Sequence, residues 1–406
     1  MVECEDSIRK GKDMNTILVI GGGPAGMMAA YKASEQNNKV ILVERNDSLG
    51  KKLLLTGSGK CNYSNENLLP EKYNFGESHP FSKLLSVYDS KWLENFFKEH
   101  GMLTDRRDGL LYPRSERSDT VKELFENLLI DSGVEILVGK KAVSVDKNEK
   151  FTVRFEDGEE IEADKLIIAT GGKAYPSTGS DGAGYRLARG LGHEVTFTYP
   201  VLTRLLTSDK DVKRIAGVRI KAKVSAWVDG KILETTEGEI QFNENALSGI
   251  CIFQLSRFMS KPLEEGKECY VHIDFAPEMK KEEVKVFIEK ALSNRPEADV
   301  EKIIKTMFGN KTAEMIISKA GDVTVEKIAE VIKDSSVKID NHDSFKDAQV
   351  TRGGVCLSEV DNNMESKICE GLFFAGEVLD VDGTCGGYNL HFAFMSGYAA
   401  GLKAAL

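Results

Sequence analysis

Gly21, Gly23 and Gly26 follow directly on the short, β-branched run Thr16 to Ile20, and Ala25 to Gln36 behind them has helical composition. Strand, tight turn and helix in that order aim a helix N-terminus and its free amides at an anion. Gly21 permits the turn, Gly23 lets the backbone approach a diphosphate, and Gly26 lets the helix lie close to the strand. A second apolar run, Lys39 to Val43, ends at Glu44. A carboxylate at that point accepts hydrogen bonds from a ribose. The chemistry these residues predict is the grip on an adenine dinucleotide.

Four further segments carry groups suited to the same ligand. Leu49 to Asn65 (LGKKLLLTGSGKCNYSN) crowds glycines, lysines and small hydroxyls into one loop. Its amides, with Lys51, Lys52 and Lys60, suit a diphosphate or an electron-rich ring; the plainer reading is a solvated basic loop. Cys61 within it reads as a buried structural thiol more readily than as a nucleophile. The run Lys165 to Ala169 ends in Thr170-Gly171-Gly172, and Gly171 to Tyr185 is expected as a loop over the ligand. Its glycines at 179, 182 and 184 have reversed spacing and no preceding strand, so no second dinucleotide domain is expected. Thr351 to Val355 (TRGGV) sets the cation of Arg352 beside a glycine turn, and Gly371 to Gly383 (GLFFAGEVLDVDG) reads as a buried strand ending at Gly376-Glu377. Gly386 to Leu406 is a glycine turn followed by a helix of small and aromatic residues. Its first amides, at Gly387 to Leu390, favour negative charge on a ring in front of them.

The intervening elements must position these groups. His79 to Pro113 is expected to form a helix on the edge of the cradle, with His79 and His100 structural. Ser118 to Asp131 carries Val121, Leu124, Phe125 and Leu128 at helical spacing, and Val134 to Val138 is a strand. Lys141 to Val145, Phe151 to Phe155 and Glu160 to Ala163 alternate as an antiparallel meander. Two nucleotide-binding strands linked by a helix and a meander are the layout of the glutathione-reductase type of FAD domain. By that analogy Glu377 meets ribityl hydroxyls or the diphosphate, and the backbone of Val143 meets the adenine edge.

The expected fold class is α/β: residues 14–190 and 341–406 as a discontinuous Rossmann-like FAD-binding domain, interrupted by an insert at 191–340. The insert is expected to be β-barrel-like from 191 to 275, with strands at Ile215 to Val228, Lys231 to Thr235, Glu239 to Phe242 and Glu268 to Phe275. From 276 to 340 it reads as helical, with stripes Val284, Phe287, Ile288, Leu292 and Ile328, Val331, Ile332. Arg219, Lys221 and Lys223 line one face of the first insert strand, as a solvated face or as a contact for phosphates. Residues 1–13 are polar and read as a frayed leader.

At 406 residues the chain can bury a sizeable core in two or three domains. The absence of an eighteen-residue apolar run or a charged-then-apolar leader predicts no membrane span, no signal peptide and a cytoplasmic location. A net charge of -10 argues against a nucleic-acid surface over the whole protein, while leaving room for a local basic patch. Seven cysteines, odd in number and never paired as CxxC, predict reduced thiols with neither a metal site nor a disulfide framework.

The stretches GGGPAGMMAA, TGSGKCNYSN, ATGGKAYPSTGSDGAGY, VTRGGV with MESK downstream, and GLFFAGEVLDVDGTCGGYNL together resemble the BaiN/RdsA-type NAD(P)/FAD-dependent oxidoreductases, also labelled aminoacetone oxidase family FAD-binding enzymes. The resemblance implies non-covalent FAD, with Gly21, Gly23, Ala25, Gly26, Glu44, Lys52, Gly57, Asn62, Thr170, Gly171, Gly376, Glu377, Gly387 and Asn389 as contacts. Their neighbours Pro24, Arg45, Lys60, Cys61, Gly172, Tyr388 and Leu390, with Val143, complete the expected cofactor set. The chain departs from the family's FTHxGLSGP, reading FNENALSGI from Phe242 to Ile250, so Glu244 stands at the family histidine. His391 stands where members often carry glutamine.

The leading expectation is an FAD-dependent reductase that takes hydride transiently from NAD(P)H and passes it to an activated C=C bond. Arg352 is the candidate for binding an anionic or carbonyl oxygen, and Cys385 and Tyr175 for delivering a proton. The family suggests a small enone or a uridine of ribosomal RNA as substrate. The alternatives are an amine oxidase releasing hydrogen peroxide and a non-catalytic flavin redox sensor.

Overall fold

The computed structural model describes residues 14–75 and 79–406, so the expected leader at 1–13 lies outside the described residues. The chain forms two compact units, Met1–Thr198 with Val350–Leu406, and Tyr199–Gln349.

The first unit is built on a five-stranded parallel sheet in the order Leu372–Phe374, Lys165–Ile168, Thr16–Ile20, Lys39–Glu44, Glu135–Val138. Ile17, Leu18 and Val19 are all fully buried, because a parallel strand is covered on both faces and its apolar residues run on instead of alternating. The helix Pro24–Ser34 covers the sheet and packs on the C-terminal helix Tyr388–Ala404. That contact is made by small residues. A Cβ at Gly397 would lie 2.2 Å from the Ala25 carbonyl oxygen, and one at Gly401 2.3 Å from that of Ala29. The meander Ala142–Lys147, Phe151–Phe155, Glu160–Ala163 forms a separate three-stranded sheet.

Two expectations for this unit need correction. Residues 79–113 hold two helices, Phe81–Val87 and Ser90–Glu99, then a hairpin of Thr104–Arg107 and Leu110–Pro113 that pairs with Ser64–Asn65. The turn residues Asp108 and Gly109 have φ of 51° and 80°, the positive values a two-residue Asp-Gly hairpin turn demands. Within Gly171 to Tyr185, the loop ends early: a helix, Ala183–Gly190, starts behind Gly182 at φ 75°.

The second unit holds a seven-stranded antiparallel sheet, ordered Ser335–Ile339, Cys269–Asp274, Arg219–Val228, Lys231–Phe242, Ala246–Ser248, Leu205–Leu206, Asn341–His342. Its two outermost strands are consecutive in the chain, with only Asp340 between them, and the Asp340 amide donates to the Leu206 carbonyl at 2.9 Å. The strands expected at 231–235 and 239–242 are one strand running through Gly238. A helix absent from the expectation, Ile250–Glu264, packs on that long hairpin and buries Cys251, Ile252, Leu255 and Met259. Four helices follow, Lys281–Asn294, Val300–Phe308, Asn310–Ala320 and Val325–Lys333. Phe287 is 47% exposed, so the buried stripe of the first is narrower than its sequence spacing suggests. Among the described residues no helix is long and apolar enough to cross a membrane, and no cluster of His, Cys, Asp or Glu could hold a metal ion.

Candidate cofactor-binding site

The glycine turn is shaped by steric exclusion. Gly21 has φ 109°, and a Cβ there would lie 2.5 Å from the Ala169 carbonyl oxygen; one at Gly26 would lie 1.8 Å from that of Gly21. Gly22 is equally constrained, since its Cβ would meet Leu49 Cδ2 at 2.4 Å. At Gly23 nothing lies within 4 Å. That open space faces a helix start with Pro24 at its first position, no side-chain cap and no acidic residue in the first turn. The amides of Ala25 and Gly26, which have no intrahelical acceptor by position, face outward there. An uncapped, acid-free helix start behind open space fits an anionic diphosphate.

Glu44 closes the next strand and is nearly buried. Its Oε2 accepts from the Gly22 amide at 2.8 Å, and its Oε1 from the backbone and side-chain nitrogens of Asn46 at 2.8 and 2.7 Å. The carboxylate is thus tied to the glycine turn itself. Arg45 beside it pairs with Asp181 at 2.6 Å and donates to the Gly179 carbonyl at 3.1 Å, joining this strand end to the loop after Gly171, where Gly171 has φ 70°. Val143 sits at a bulge, opposite no residue of the neighbouring strand.

Lys52 and Glu377, 325 residues apart, meet at 2.6 Å. The other Glu377 oxygen accepts from the Thr351 amide at 2.8 Å, and Thr351 Oγ1 in turn accepts from the amides of Lys173 and Ala174 at 2.8 and 3.0 Å. Gly172 borders this cluster, its missing Cβ 2.5 Å from Thr351 Oγ1 and 2.7 Å from Glu377 Oε1. Gly376 has φ 76°, and a Cβ there would lie 2.8 Å from Ala25 Cβ. Four segments distant in sequence therefore converge around the helix start.

The C-terminal helix begins behind Gly387, at φ 91°, where a Cβ would lie 2.4 Å from the Ser64 carbonyl oxygen. It too has no side-chain cap and no acid in its first turn. Asn62 accepts from the Gly387 amide at 3.1 Å and donates to the Ser64 carbonyl at 2.8 Å. Asn389 accepts from the Gly383 amide at 2.8 Å and donates to its carbonyl at 3.0 Å, bracing the preceding loop. The Tyr388 hydroxyl donates to the Asn67 carbonyl at 3.0 Å, and Leu390 is half-buried. His391, fully buried, accepts from Ser64 Oγ at Nδ1 (2.9 Å) and donates from Nε2 to the Tyr88 carbonyl (2.8 Å).

Other expected residues serve the loops. Gly57, at φ 57°, turns the Leu49 to Asn65 segment; Lys60 pairs with Glu116 at 3.0 Å. The Cys61 thiol is fully enclosed and burial pushes it up to about 12, so it is no nucleophile at neutral pH. Arg352 Nε lies 3.7 Å from Oδ1 of the buried Asp382. Cys385 is half-buried, and Tyr175, at φ 56°, accepts through its carbonyl from Thr178. Asp380 escaped the sequence reading: it accepts from the Gly353 amide (3.0 Å), Thr196 Oγ1 (2.9 Å) and Asn74 Nδ2 (3.1 Å). Burial, with Asp382 adding to it, holds its carboxyl above the usual range. Nothing in the sequence set it apart from a solvated loop acid. The family departure also has a physical reading: Ile250 is the first residue of its helix and 65% exposed, the position where proline is favoured but not required.

A parallel sheet whose strand ends carry these glycine turns and uncapped helix starts defines a nucleotide-binding domain of the Rossmann class. The HI0933-like protein Rossmann domain matches residues 15–403, and the chain belongs to that family. It is 36% identical to the 3-dehydro-bile acid delta(4,6)-reductase of Clostridium scindens, over 97% of this chain and 99% of that protein. It is 26% identical to the ribosomal RNA dihydrouridine synthase of Haemophilus influenzae, over 95% and 97%. Among solved structures, the 3-ketosteroid-delta4-(5alpha)-dehydrogenase from Rhodococcus jostii RHA1 shares the fold at TM-score 0.50 and 14% identity, over 98% of each chain. The chain is an FAD-dependent oxidoreductase with the Rossmann-type FAD-binding fold.

Proposed function

We propose that this enzyme reduces an activated C=C bond of a small molecule at the expense of NAD(P)H. The observation that carries the reading is the similarity, over nearly the whole of both chains, to a protein named as a delta(4,6)-reductase. FAD, when bound, would supply the two-electron redox chemistry that links the nicotinamide to the double bond.

The chain's own residues do the rest. The amides of Ala25 and Gly26 would hold the diphosphate at the first helix start, and Glu44 would take the adenosine ribose. Lys52 and Glu377 would brace the middle of the cofactor, with Gly172 making room for the Glu377 carboxylate. The amides at Tyr388 to Leu390 would offset negative charge on the flavin ring, while that of Gly387 is taken up by Asn62. Arg352 receives the carbonyl oxygen that activates the double bond, and Cys385 or Tyr175 returns the proton. The second unit, with its outermost strands consecutive in sequence, is read as a barrel-like insert.

A second substrate reading, a uridine of ribosomal RNA, draws on the more distant relative and on the basic strand Arg219 to Lys223. The sheet register weakens it. Lys221 lies opposite Glu239, Lys223 lies between Glu237 and Asp274, and Arg219 pairs with Glu239 at 3.5 Å. The carboxylates Glu237, Glu239 and Asp274 face these three cations, Asp274 being shared with Lys333 at 2.7 Å, and they reduce the field that the strand offers a phosphate backbone.

Anaerobic stopped-flow mixing tests the proposal. NADH or NADPH is expected to bleach the flavin, and an unsaturated 3-oxo bile acid or similar enone to restore its colour. A flavin that stays oxidised removes the nicotinamide step. Peroxide release with aminoacetone in place of enone reduction selects the oxidase. Loss of dihydrouridine from the ribosomal RNA of a deletion strain selects the RNA substrate.

A further inference from the structure

Tyr185 is 2% exposed, and its hydroxyl has no hydrogen-bond partner among the described residues. It lies on the helix Ala183–Gly190, whose start is set by Gly182, and its ring is hemmed in: a Cβ at Gly182 would lie 3.0 Å from Tyr185 Cδ2. Phenylalanine would fill that space without enclosing a polar group. A buried phenol with no acceptor carries its full desolvation cost, so a hydroxyl kept here calls for a partner.

The carboxylate of Glu377 stands close by: a Cβ at Gly172 would lie 2.7 Å from its Oε1, and the Gly172 carbonyl accepts at 3.1 Å from the amide of Gly182, the residue against which the Tyr185 ring packs. The guanidinium of Arg189 lies on the same helix. Arginine only donates and offers nothing to a phenolic proton. Each Glu377 oxygen receives a single donor, Lys52 on one and the Thr351 amide on the other, and a carboxylate oxygen has room for two. A donor lacking an acceptor thus stands near an acceptor with capacity to spare, without a direct bond between them. An oxygen that accepts from one and donates to the other satisfies both, which is the property of a hydroxyl group.

A second orphan points to the same place. Thr170 Oγ1 is also buried without a partner among the described residues. It would lie 2.0 Å from a Cβ at Gly184, the residue before Tyr185, while Gly172, two residues along, borders Glu377. Thr170, Tyr185 and Glu377 thus surround one corner of the cradle, where a polyol would meet several polar groups in a row.

We propose that Tyr185 and Glu377 together recognise a ribityl hydroxyl of FAD, the phenol donating to its oxygen and the carboxylate accepting its proton. The assignment rests on FAD as the cofactor. It makes Tyr185 a binding residue, and burial keeps its phenol protonated, and so a donor, across the working pH range.

The test compares FAD binding to apoprotein, followed by flavin fluorescence, in wild type and Tyr185→Phe. One lost hydrogen bond predicts an affinity about tenfold weaker, together with a higher Tm of the apoprotein. An FAD analogue lacking ribityl hydroxyls should bind wild type about tenfold more weakly than FAD and lose nothing further in the variant, the signature of coupled groups. A variant that binds FAD like wild type while its apo Tm rises overturns the assignment and leaves the phenol to a structural water. Should the variant not fold, equal affinity of wild type for FAD and the analogue overturns it as well. Wild type that binds no FAD at all removes the cofactor reading along with it.

Discussion

His391 shows how one residue under the site answers to pH. Both ring nitrogens are used, and burial, opposed by the Tyr88 carbonyl, pushes its pKa down to about 4. In the unfolded chain the imidazole titrates near its usual value of about 6.5. Between those two values the unfolded state binds more protons, so stability rises with pH through that window and is lost as pH falls from about 6.5 towards 4. The full effect is on the order of 3 kcal/mol. Glutamine can also accept from Ser64 and donate to Tyr88 while carrying no titrating group. His391→Gln is therefore expected to fold and to flatten the acid limb of a urea-midpoint profile between pH 6.5 and 4. An unchanged pH slope would show that the imidazole is not buried neutral.

At the scale of elements, the decisive contact is between the first and last helices. Gly397 and Gly401, one turn apart, let the last helix approach the carbonyls of Ala25 and Ala29, and so seat the start at Gly387 and the start at Pro24 in one unit. In an isolated helix Gly401→Ala would stabilise by about 1 kcal/mol. Here the added methyl group meets a backbone oxygen at 2.3 Å, and a backbone cannot yield as a side chain can. Overpacking of this kind costs about 1–3 kcal/mol, so a lower Tm and weaker FAD retention are expected. A variant with a raised Tm would mean the helices are not held this closely. In the insert sheet, Arg219, Lys221 and Lys223 form a basic stripe along one strand and face Glu237, Glu239 and Asp274 on its neighbours.

At the scale of the molecule, the proposed FAD contacts all lie in the unit formed by Met1–Thr198 and Val350–Leu406. A ligand that binds only the folded form stabilises it by about 2.7 kcal/mol at a hundred times its Kd. Differential scanning calorimetry of the full chain is expected to show the transition of this unit moving upward with FAD concentration. An FAD-independent thermogram would place the cofactor elsewhere or nowhere.

The sequence by itself determined the glycine turn, the strands Thr16–Ile20 and Lys39–Glu44, the helix Ser118–Asp131 and the meander, because each depends on neighbours a few residues away. Apolar runs, helical spacing and the backbone freedom of glycine are local quantities and can be read in order along the chain. The Asp108-Gly109 turn is a local signal of the same kind, set among aromatic residues whose spacing suggests a helix. Packing alone brings Lys52 to Glu377, sets Gly397 and Gly401 against backbone carbonyls, lines a basic strand with facing carboxylates, and buries the hydroxyls of Thr170 and Tyr185 without a partner among the described residues. Those facts depend on register and packing between segments hundreds of residues apart. No local signal distinguishes a lysine that will find a glutamate from one that will face water.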